Sequence, residues 1–513
     1  MTTQAVQTLA PPCNLGAPLE FTSWRHGQDR AFTRLQRATW RFSVMALPTG
    51  IGKSLLGQTY AVLGGFRSVT LTATRSLQDQ YQQSFPDLMD IRGMANYPCR
   101  LAEGRSRYPI SCADGPCLDG EVCQWRAGGC DYYDRLSAAK LAPHICTNYP
   151  MWFTHGTDGL GSRDLVILDE AHECPEVVSS WLRVSLGMSE LHSPRDPESF
   201  ELEDWRDWAD QECSYIESLL ERATGRERRK LSRLRDQLLR LSICGGDWIA
   251  QPSRRGWQFE PLWPRQYAGP RLWGGIKRVV LLSATVRPCT LEQIGLEPDQ
   301  YDWIECPSPF PVGRRPVYHI PTARLSARTW EDPGTRGIWV DHIDALIGAR
   351  LDRKGIVHTV SYDRAQYLLG ESEWHEFMIT HGSREASEAV ERFKATDPPA
   401  VLVSPSVHTG HDFAYVQGAS YQIIAKVPWP NPSEPITAAR TEDDPSYPAT
   451  YALTRIVQAA GRVMRAPDDY GETFCTDDHI DWLMKRYGEE FTPTWFRDAY
   501  RSAVTFPAPG RIY

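Results

Sequence analysis

The sequence predicts an α/β protein with more than one domain, each organised around a parallel sheet. With 513 residues, of which 41% are hydrophobic, the chain can bury two or three cores. Helical and strand patterns alternate along it, as they do in α/β proteins. No stretch of 18 apolar residues occurs, and residues 1–20 lack the charged and apolar segments of a signal peptide. We therefore expect no membrane span and a cytoplasmic location.

The charge balance restricts how the chain could bind polyanions. The formal net charge is −8 at pH 7. This value argues against a protein that covers itself in nucleic acid through a global basic field, although a local basic channel is compatible with it. Composition is therefore neutral on nucleic-acid binding.

A phosphate-binding loop is predicted near the amino-terminal end. Residues 43–47 form an apolar run typical of a buried strand, and a helical pattern starts at Leu55. Glycines in such a loop let backbone N–H groups face phosphate oxygens, the lysine reaches the β and γ phosphates, and the serine hydroxyl holds Mg²⁺. Leu47 stands where the strict pattern has glycine, so an ordinary glycine turn is the alternative. The ATP-binding loop would comprise Pro48, Thr49, Gly50, Ile51, Gly52, Lys53 and Ser54.

A second apolar run, residues 165–168, ends in adjacent carboxylates. This is the arrangement of the element that completes a magnesium site and supplies the catalytic base in nucleotide hydrolysis. Asp169 would complete the Mg²⁺ shell, Glu170 would polarise the water that attacks the γ phosphate, and His172 would sense the nucleotide. A solvated acidic turn is the alternative, and the upstream phosphate loop argues against it.

These two motifs, in this order, resemble those of superfamily 2 helicases, and further segments match that family's motifs along nearly the whole chain. The resemblance implies that Arg25 and Gln28 contact the nucleotide, with Gln28 favouring adenine. Residues 72–74 (TAT) are similar to the family's first DNA-backbone motif, so that Thr72 and Thr74 would grip the strand. Residues 283–285 (SAT) are similar to its coupling motif.

The second half of the chain carries the remaining motifs. Residues 355–362 and 400–406 are predicted to be buried strands. Residues 409–413 (TGHDF) resemble the motif through which DNA grip and ATP state communicate, which implies nucleotide contacts from Gly410 and Asp412.

Residues 458–465 (QAAGRVMR) would bring positive charge to the nucleotide from the second domain. On a helix, the spacings of four, three and seven place Gln458, Arg462 and Arg465 on one face, from which guanidinium groups can reach phosphate. Arg465 is the preferred arginine finger, with Arg462 beside it. A solvated basic helix face is the alternative.

Thirteen cysteines occur, and five of them crowd one segment. Such clustering in an intracellular chain favours a metal site over disulfides. XPD/DinG helicases carry a four-cysteine cluster at this place; residues 96–99 (NYPC) resemble the entry to its first ligand, and residues 130–133 (CDYY) resemble its last, with aspartate in place of proline. The resemblance implies the ligands Cys99, Cys117, Cys123 and Cys130, with Cys112 as a possible substitute.

Four thiolates suit either an iron-sulfur cluster or zinc. The gaps here are longer and more irregular than the tight Cys-x2-Cys pairs of most zinc sites. They favour a 4Fe–4S cluster, with zinc as the runner-up and free buried cysteines as the remaining alternative. In either metal case the role would be structural, because a segment of about 40 residues has too little apolar surface to order itself.

The resemblance also implies the domain organisation. We expect two RecA-like parallel-sheet domains, with a small cysteine-rich metal domain and a short helical insertion, a reduced arch, in the first. The expected ranges are 21–192 with 257–319 for the first domain, 92–134 for the metal domain, 193–256 for the insertion and 321–513 for the second domain.

The implied activity is that of an ATP-dependent DNA helicase that translocates 5′→3′ on single-stranded DNA or a forked duplex, acting as a monomer. Its compact size suits a bacterium or a bacteriophage, which would place it in the cytoplasm of the bacterium or of the host. Three alternatives stay open: a translocase or remodeller of double-stranded DNA, an RNA helicase with the same ATPase core, and a non-catalytic scaffold with a decayed nucleotide site.

Overall fold

Two seven-stranded sheets form the framework of the computed structural model. It describes residues 9–187, 189, 191–192, 200–405, 419–462, 470–503 and 505–510. Every strand pairing within the two large sheets is parallel. The predicted α/β class with two parallel-sheet domains is therefore confirmed.

The strands of the described residues alternate with helices, as parallel pairing requires. In chain order they are β1 (Phe42–Ala46), β2 (Ser68–Thr72), β3 (Met89–Asp90), β4 (His144–Asn148), β5 (Leu165–Asp169), β6 (Val184–Gly187), β7 (Trp248–Ser253), β8 (Gly256–Pro261), β9 (Arg278–Ser283), β10 (Tyr301–Glu305), β11 (Val317–Ala323), β12 (Lys354–His358), β13 (Met378–Ile379), β14 (Ala400–Ser404), β15 (Ala419–Ile424), β16 (Glu472–Asp477) and β17 (Tyr500–Ser502).

Helices cover both faces of the large sheets. They are α1 (Gln28–Gln36), α2 (Lys53–Leu63), α3 (Arg75–Ser84), α4 (Asp131–Leu141), α5 (Tyr149–Leu160), α6 (Cys174–Leu182), α7 (Leu202–Leu220), α8 (Gly225–Ser242), α9 (Arg265–Leu272), α10 (Pro288–Glu292), α11 (Ala327–Trp330), α12 (Pro333–Gly348), α13 (Tyr362–Glu371), α14 (Ala386–Ala395), α15 (Pro435–Asp443), α16 (Tyr447–Ala460), α17 (His479–Phe491) and α18 (Thr494–Ala499). None of these described helices has the length and apolar character that a membrane span requires.

The first sheet has the strand order β10-β1-β9-β5-β2-β4-β3. Its central strands are continuous apolar runs, buried along their length, because helices cover both faces. In register, Ala46 at the end of β1 pairs with Ser283 at the end of β9, and Asp169 at the end of β5 pairs with Leu282. The loops after β1, β5 and β9 therefore meet at one edge of the sheet, where ligands of open parallel sheets bind.

The second sheet has the order β13-β14-β12-β15-β16-β11-β17. Its strand β11 starts at Val317, so the predicted domain boundary between residues 319 and 321 falls inside this strand. The strand predicted over 355–362 ends at His358. It ends early because Ser361 caps α13, its hydroxyl accepting the Arg364 backbone N–H at 3.3 Å.

The insertion between β5 and β9 contains the two helices α7 and α8 and a small antiparallel sheet of order β6-β8-β7. Trp205, fully buried on α7, packs against Trp208, Trp257 and Phe259 and anchors the helices to this sheet. Strand β8 continues to Pro261, past the residue 257 at which the first domain was predicted to resume.

Candidate functional site

The phosphate loop connects β1 to α2 at the carboxyl edge of the first sheet. Gly50 and Gly52 have φ values of +72° and +83°, in the left-handed region that glycine adopts without strain. Helix α2 then starts at Lys53, so its free N–H groups and its positive dipole end point toward the loop. This is the backbone geometry that binds phosphate.

Arg25 and Gln28 hold this loop through hydrogen bonds to its backbone. The Arg25 guanidinium donates to the carbonyl oxygen of Gly50, and the Gln28 amide donates to that of Ile51. The Gln28 carbonyl oxygen also accepts the Arg25 backbone N–H at 2.6 Å. At φ +83°, any other residue at position 52 would strain the backbone, and its Cβ would lie 2.6 Å from Gln28 Nε2 and displace that amide. The adenine contact expected of Gln28 stays a prediction, because both ends of its amide are engaged with protein here.

The acidic pair at the end of β5 lies next to the phosphate loop. Burial and the charge of Glu170 raise the pKa of Asp169 to about 7, and Lys53 is close enough for its charge to oppose the shift. Glu170 adopts φ 50° and ψ 50°, a left-handed conformation that costs a non-glycine residue about 1 kcal/mol or more. Strain of this kind is typical of residues whose side chain is held in place for function.

His172 lies at the centre of a polar network. Its Nδ1 lies 2.9 Å from Ser283 Oγ and 3.3 Å from Glu170 Oε2, while its Nε2 lies 3.1 Å from Glu173 Oε1. The Ser283 hydroxyl also accepts the backbone N–H groups of Thr285 and Val286, both at 3.1 Å. The coupling-motif serine and the acidic motif are thus joined directly through one imidazole.

The second domain reaches this network from across the cleft. The Gln458 amide on α16 contacts His172 Nε2. A Cβ at residue 461 would lie 2.5 Å from Thr49 Cγ2, so Gly461 permits the close approach of the second domain to the phosphate loop. Arg462 follows directly, with its backbone N–H donating to Ala459 O at 2.9 Å. Gly410, Asp412 and Arg465, also predicted for this site, lie outside the described residues.

The arrangement combines the groups that nucleotide hydrolysis needs. A glycine loop with a lysine can hold phosphates, Ser54 and Asp169 can hold a divalent cation, and Glu170 can accept a proton from water. The contacts of Gln458 and Gly461 show that the two domains meet at this point.

One predicted grip residue is not available to a ligand. Thr72, the last residue of β2, is fully buried, and its hydroxyl lies 3.4 Å from the carbonyl oxygens of Thr74 and Thr147. Thr74 caps α3, its hydroxyl accepting the Leu77 backbone N–H at 3.3 Å. The expected strand contact from the Thr72 hydroxyl is therefore wrong, because the fold encloses this residue completely.

The cysteine segment joins β3 to α4 through short 3₁₀ turns and one isolated bridge between Pro98 and Ser111. The Sγ atoms of Cys112 and Cys130 are 4.0 Å apart. Around Gly115, a Cβ would lie 3.0 Å from Cys99 Sγ and 3.7 Å from Cys117 Sγ, so this glycine leaves open a space between thiols. Burial, and then the proximity of Cys130, Cys99 and Cys117, raise the pKa of the Cys112 thiol to about 12.

No group of three or more His, Cys, Asp or Glu side chains in the described ranges is placed to hold a single metal ion. A cubane cluster makes a different demand, because its four thiolates bind four different iron atoms. Cys112, spare in the ligand set that the resemblance implied, lies inside the group of thiols. Burial, and then the charge of Cys123, raise the pKa of the Cys117 thiol, so Cys123 lies near Cys117.

Sequence reasoning missed several residues of the interdomain cleft. Glu173 bonds His172, and Arg455 lies one helical turn before Gln458 on α16. Trp263, after β8, donates its indole N–H to Asp443 Oδ2 of the second domain at 2.7 Å. Of these residues, only Arg455 could have been predicted from the sequence, because it precedes Gln458 by one helical turn.

Comparison with known proteins identifies the fold. Residues 353–499 match the family described as the helicase C-terminal domain. A solved structure described as an XPD helicase is 16% identical, with a TM-score of 0.60 over 93% of this chain and 98% of that one. Xpd4 of S. tokodaii is 14% identical, with a TM-score of 0.57 over 93% and 99%. No curated protein sequence matches the chain.

Proposed function

We propose that this chain, which has the two-domain fold of the XPD helicases and a helicase C-terminal domain, is an ATP-dependent helicase that translocates on single-stranded DNA. The observation that carries the proposal is the convergence of the Lys53 loop, the Asp169–Glu170 pair and Gln458 on one interdomain cleft. Groups from both domains would contact one nucleotide, so ATP binding would draw the domains together and hydrolysis would release them.

The chain supplies the protein groups that the proposed hydrolysis needs, and Mg²⁺ would be bound with the nucleotide. Lys53 and the loop N–H groups would hold the β and γ phosphates. Ser54 and Asp169 would hold Mg²⁺, which neutralises phosphate charge when bound. Glu170 would take a proton from the water that attacks the γ phosphorus, the bond to the bridging oxygen would break, and ADP would leave with that electron pair.

The second domain would supply the groups that sense the reaction. Gln458, already against His172, would report the state of the acidic motif to α16. Arg462 and Arg465 would stabilise the negative charge that develops on the transferred phosphoryl group. From the first domain, Arg25 and Gln28 would shape the phosphate loop, in addition to the nucleotide contacts that the resemblance implies.

The ATPase assignment is tested with Lys53→Ala and Glu170→Gln. The first change removes the phosphate-binding charge and the second removes the base, so we expect DNA-stimulated phosphate release to fall by about 100-fold or more. Lys277→Ala, which removes an exposed lysine of the same domain, should leave the rate unchanged. Phosphate release that survives either site change would refute the assigned site.

We further propose that the cysteine segment binds a 4Fe–4S cluster through Cys99, Cys112, Cys117 and Cys130. The 4.0 Å Cys112–Cys130 pair and the two thiols beside Gly115 support this set, in which Cys112 replaces Cys123. Thiolate–metal bonding would offset the repulsion that opposes ionisation of these neighbouring thiols. The cluster would staple together a segment that otherwise has only short 3₁₀ turns.

A further inference from the structure

A second charged residue of α16 faces the interdomain cleft beside Gln458. Arg455 lies one turn earlier on the helix, and its guanidinium carbon is 3.3 Å from the centre of the Tyr451 ring. Both side chains line a cavity of about 90 Å³ whose opposite wall includes His172 and Glu173 of the first domain. The Tyr451 ring thus stacks against the guanidinium by a cation–π contact.

The environment of Arg455 lacks a complete set of partners on its own domain. Its Nε is buried and has no hydrogen-bond partner among the residues that the structure describes. Leaving a donor of a charged group unsatisfied is costly. Burial lowers the pKa of Arg455, and the charges of Tyr451 and Glu173 oppose that change. The compensating charge therefore includes a carboxylate on the other side of the cleft.

Glu173 and Glu176 are the first-domain carboxylates that line this cavity, and of the two Glu173 is hydrogen-bonded to His172. The Glu173 carboxylate accepts from His172 Nε2 at 3.1 Å. Burial alone would raise its pKa, but the hydrogen bond and charge of His172, together with the charge of Arg455 and a hydrogen bond from Gln458, lower the pKa to about 2. His172 of the first domain thus hydrogen-bonds Glu173, and Arg455 of the second domain lines the same cavity.

We propose that Arg455 is a positioning residue for ATP hydrolysis. By opposing Glu173 across the cleft, it holds that carboxylate on His172 and so keeps His172 against Gln458 when the domains meet. The proposal rests on the proposed ATPase function and extends it to a residue outside the motifs that the sequence identified. Arg455 has no described hydrogen bond or ion pair with the phosphate loop or the acidic pair, so we assign its effect to Glu173, a carboxylate that lines the same cavity.

The test is a double-mutant cycle on the full chain with Arg455→Gln, Glu173→Gln and the double variant, read as steady-state ATPase with single-stranded DNA. We expect Arg455→Gln to lower kcat about tenfold and to change KM for ATP by less than about twofold. Because Arg455 acts through Glu173, the double variant should be no slower than Glu173→Gln alone. Arg486→Gln, which removes another arginine stacked on a tyrosine of the same domain, should match the wild type.

Several outcomes would overturn the proposal. An Arg455→Gln enzyme with kcat within twofold of the wild type would do so, as would losses that multiply in the double variant. A wild-type chain without ATPase activity would instead refute the proposed function. If Arg455→Gln fails to fold, the cycle is run with Arg455→Lys, which keeps the charge but not the planar stacking, and an intermediate loss of about threefold that is absent in the Glu173→Gln background is expected.

Discussion

At the scale of single residues, cysteine variants test which four of the five clustered cysteines bind the proposed cluster. We expect Cys112→Ser to lose the brown colour and most of the iron of anaerobically purified protein, and Cys123→Ser to keep both, with about four irons per chain. The reason is that Cys112 lies 4.0 Å from Cys130, on the thiol-lined side of the segment. Cys13→Ser, outside the segment, is the control.

Iron retained by Cys112→Ser and lost from Cys123→Ser would restore the ligand set that the family resemblance implied. Zinc in place of iron in the wild-type protein would replace the cluster by the runner-up metal. Both readouts are metal analyses and do not depend on activity.

Site residues that belong to a local sequence motif were predictable from the sequence. Residues that join the site only through packing of the two domains were not. Lys53 and Asp169 each follow an apolar strand, and in a parallel sheet such ends share an edge. Glu173 and Arg455 line one cavity only because two domains pack against each other, which no spacing in one segment encodes. Thr72 was expected to contact the nucleic-acid strand, and the tripeptide alone does not reveal that this residue is buried.

At the scale of secondary-structure elements, the loop 262–264 connects the insertion of the first domain to α15 through direct contacts. Trp263 is buried, donates to Asp443 Oδ2 at 2.7 Å and packs edge-on against Tyr447. The Arg440 Nε donates to Leu262 O at 2.9 Å, and its guanidinium carbon lies 5.3 Å from the Trp263 ring centre. The carboxyl end of α15 is therefore held by the other domain.

We expect Trp263→Phe to loosen α15 without unfolding either sheet. The change keeps an aromatic ring but removes the donor to Asp443, a loss of about 1 kcal/mol. Backbone amides of α15 should then exchange with solvent about fivefold faster, while those of β5 keep their rates, as measured by hydrogen exchange. Trp482→Phe, at a partly exposed tryptophan of the second domain, should change neither. Unchanged exchange in α15 would show that the loop does not hold it.

At the scale of the whole molecule, two parallel-sheet domains were predictable from alternating strands and helices, whereas the end of each domain depends on long-range strand pairing. Two expected boundaries fall within β8 and β11, where the chain continues as a strand. A strand that pairs with a distant segment has no local marker of the domain to which it belongs. Long-range pairing, and not propensity, decides such positions.

The proposed translocation predicts a direction of movement of the whole molecule along single-stranded DNA. The family resemblance implies 5′→3′ movement, so ATP should drive unwinding of a duplex with a 5′ single-stranded tail and not of one with a 3′ tail. The chain's net charge of −8 implies that grip comes from a local path, so ATPase stimulation should weaken as salt rises. Unwinding only from a 3′ tail would reverse the polarity. Equal stimulation of the ATPase by RNA would indicate an RNA helicase. Triplex displacement without duplex unwinding would indicate a double-strand translocase, because that assay detects movement along a duplex whose strands stay paired.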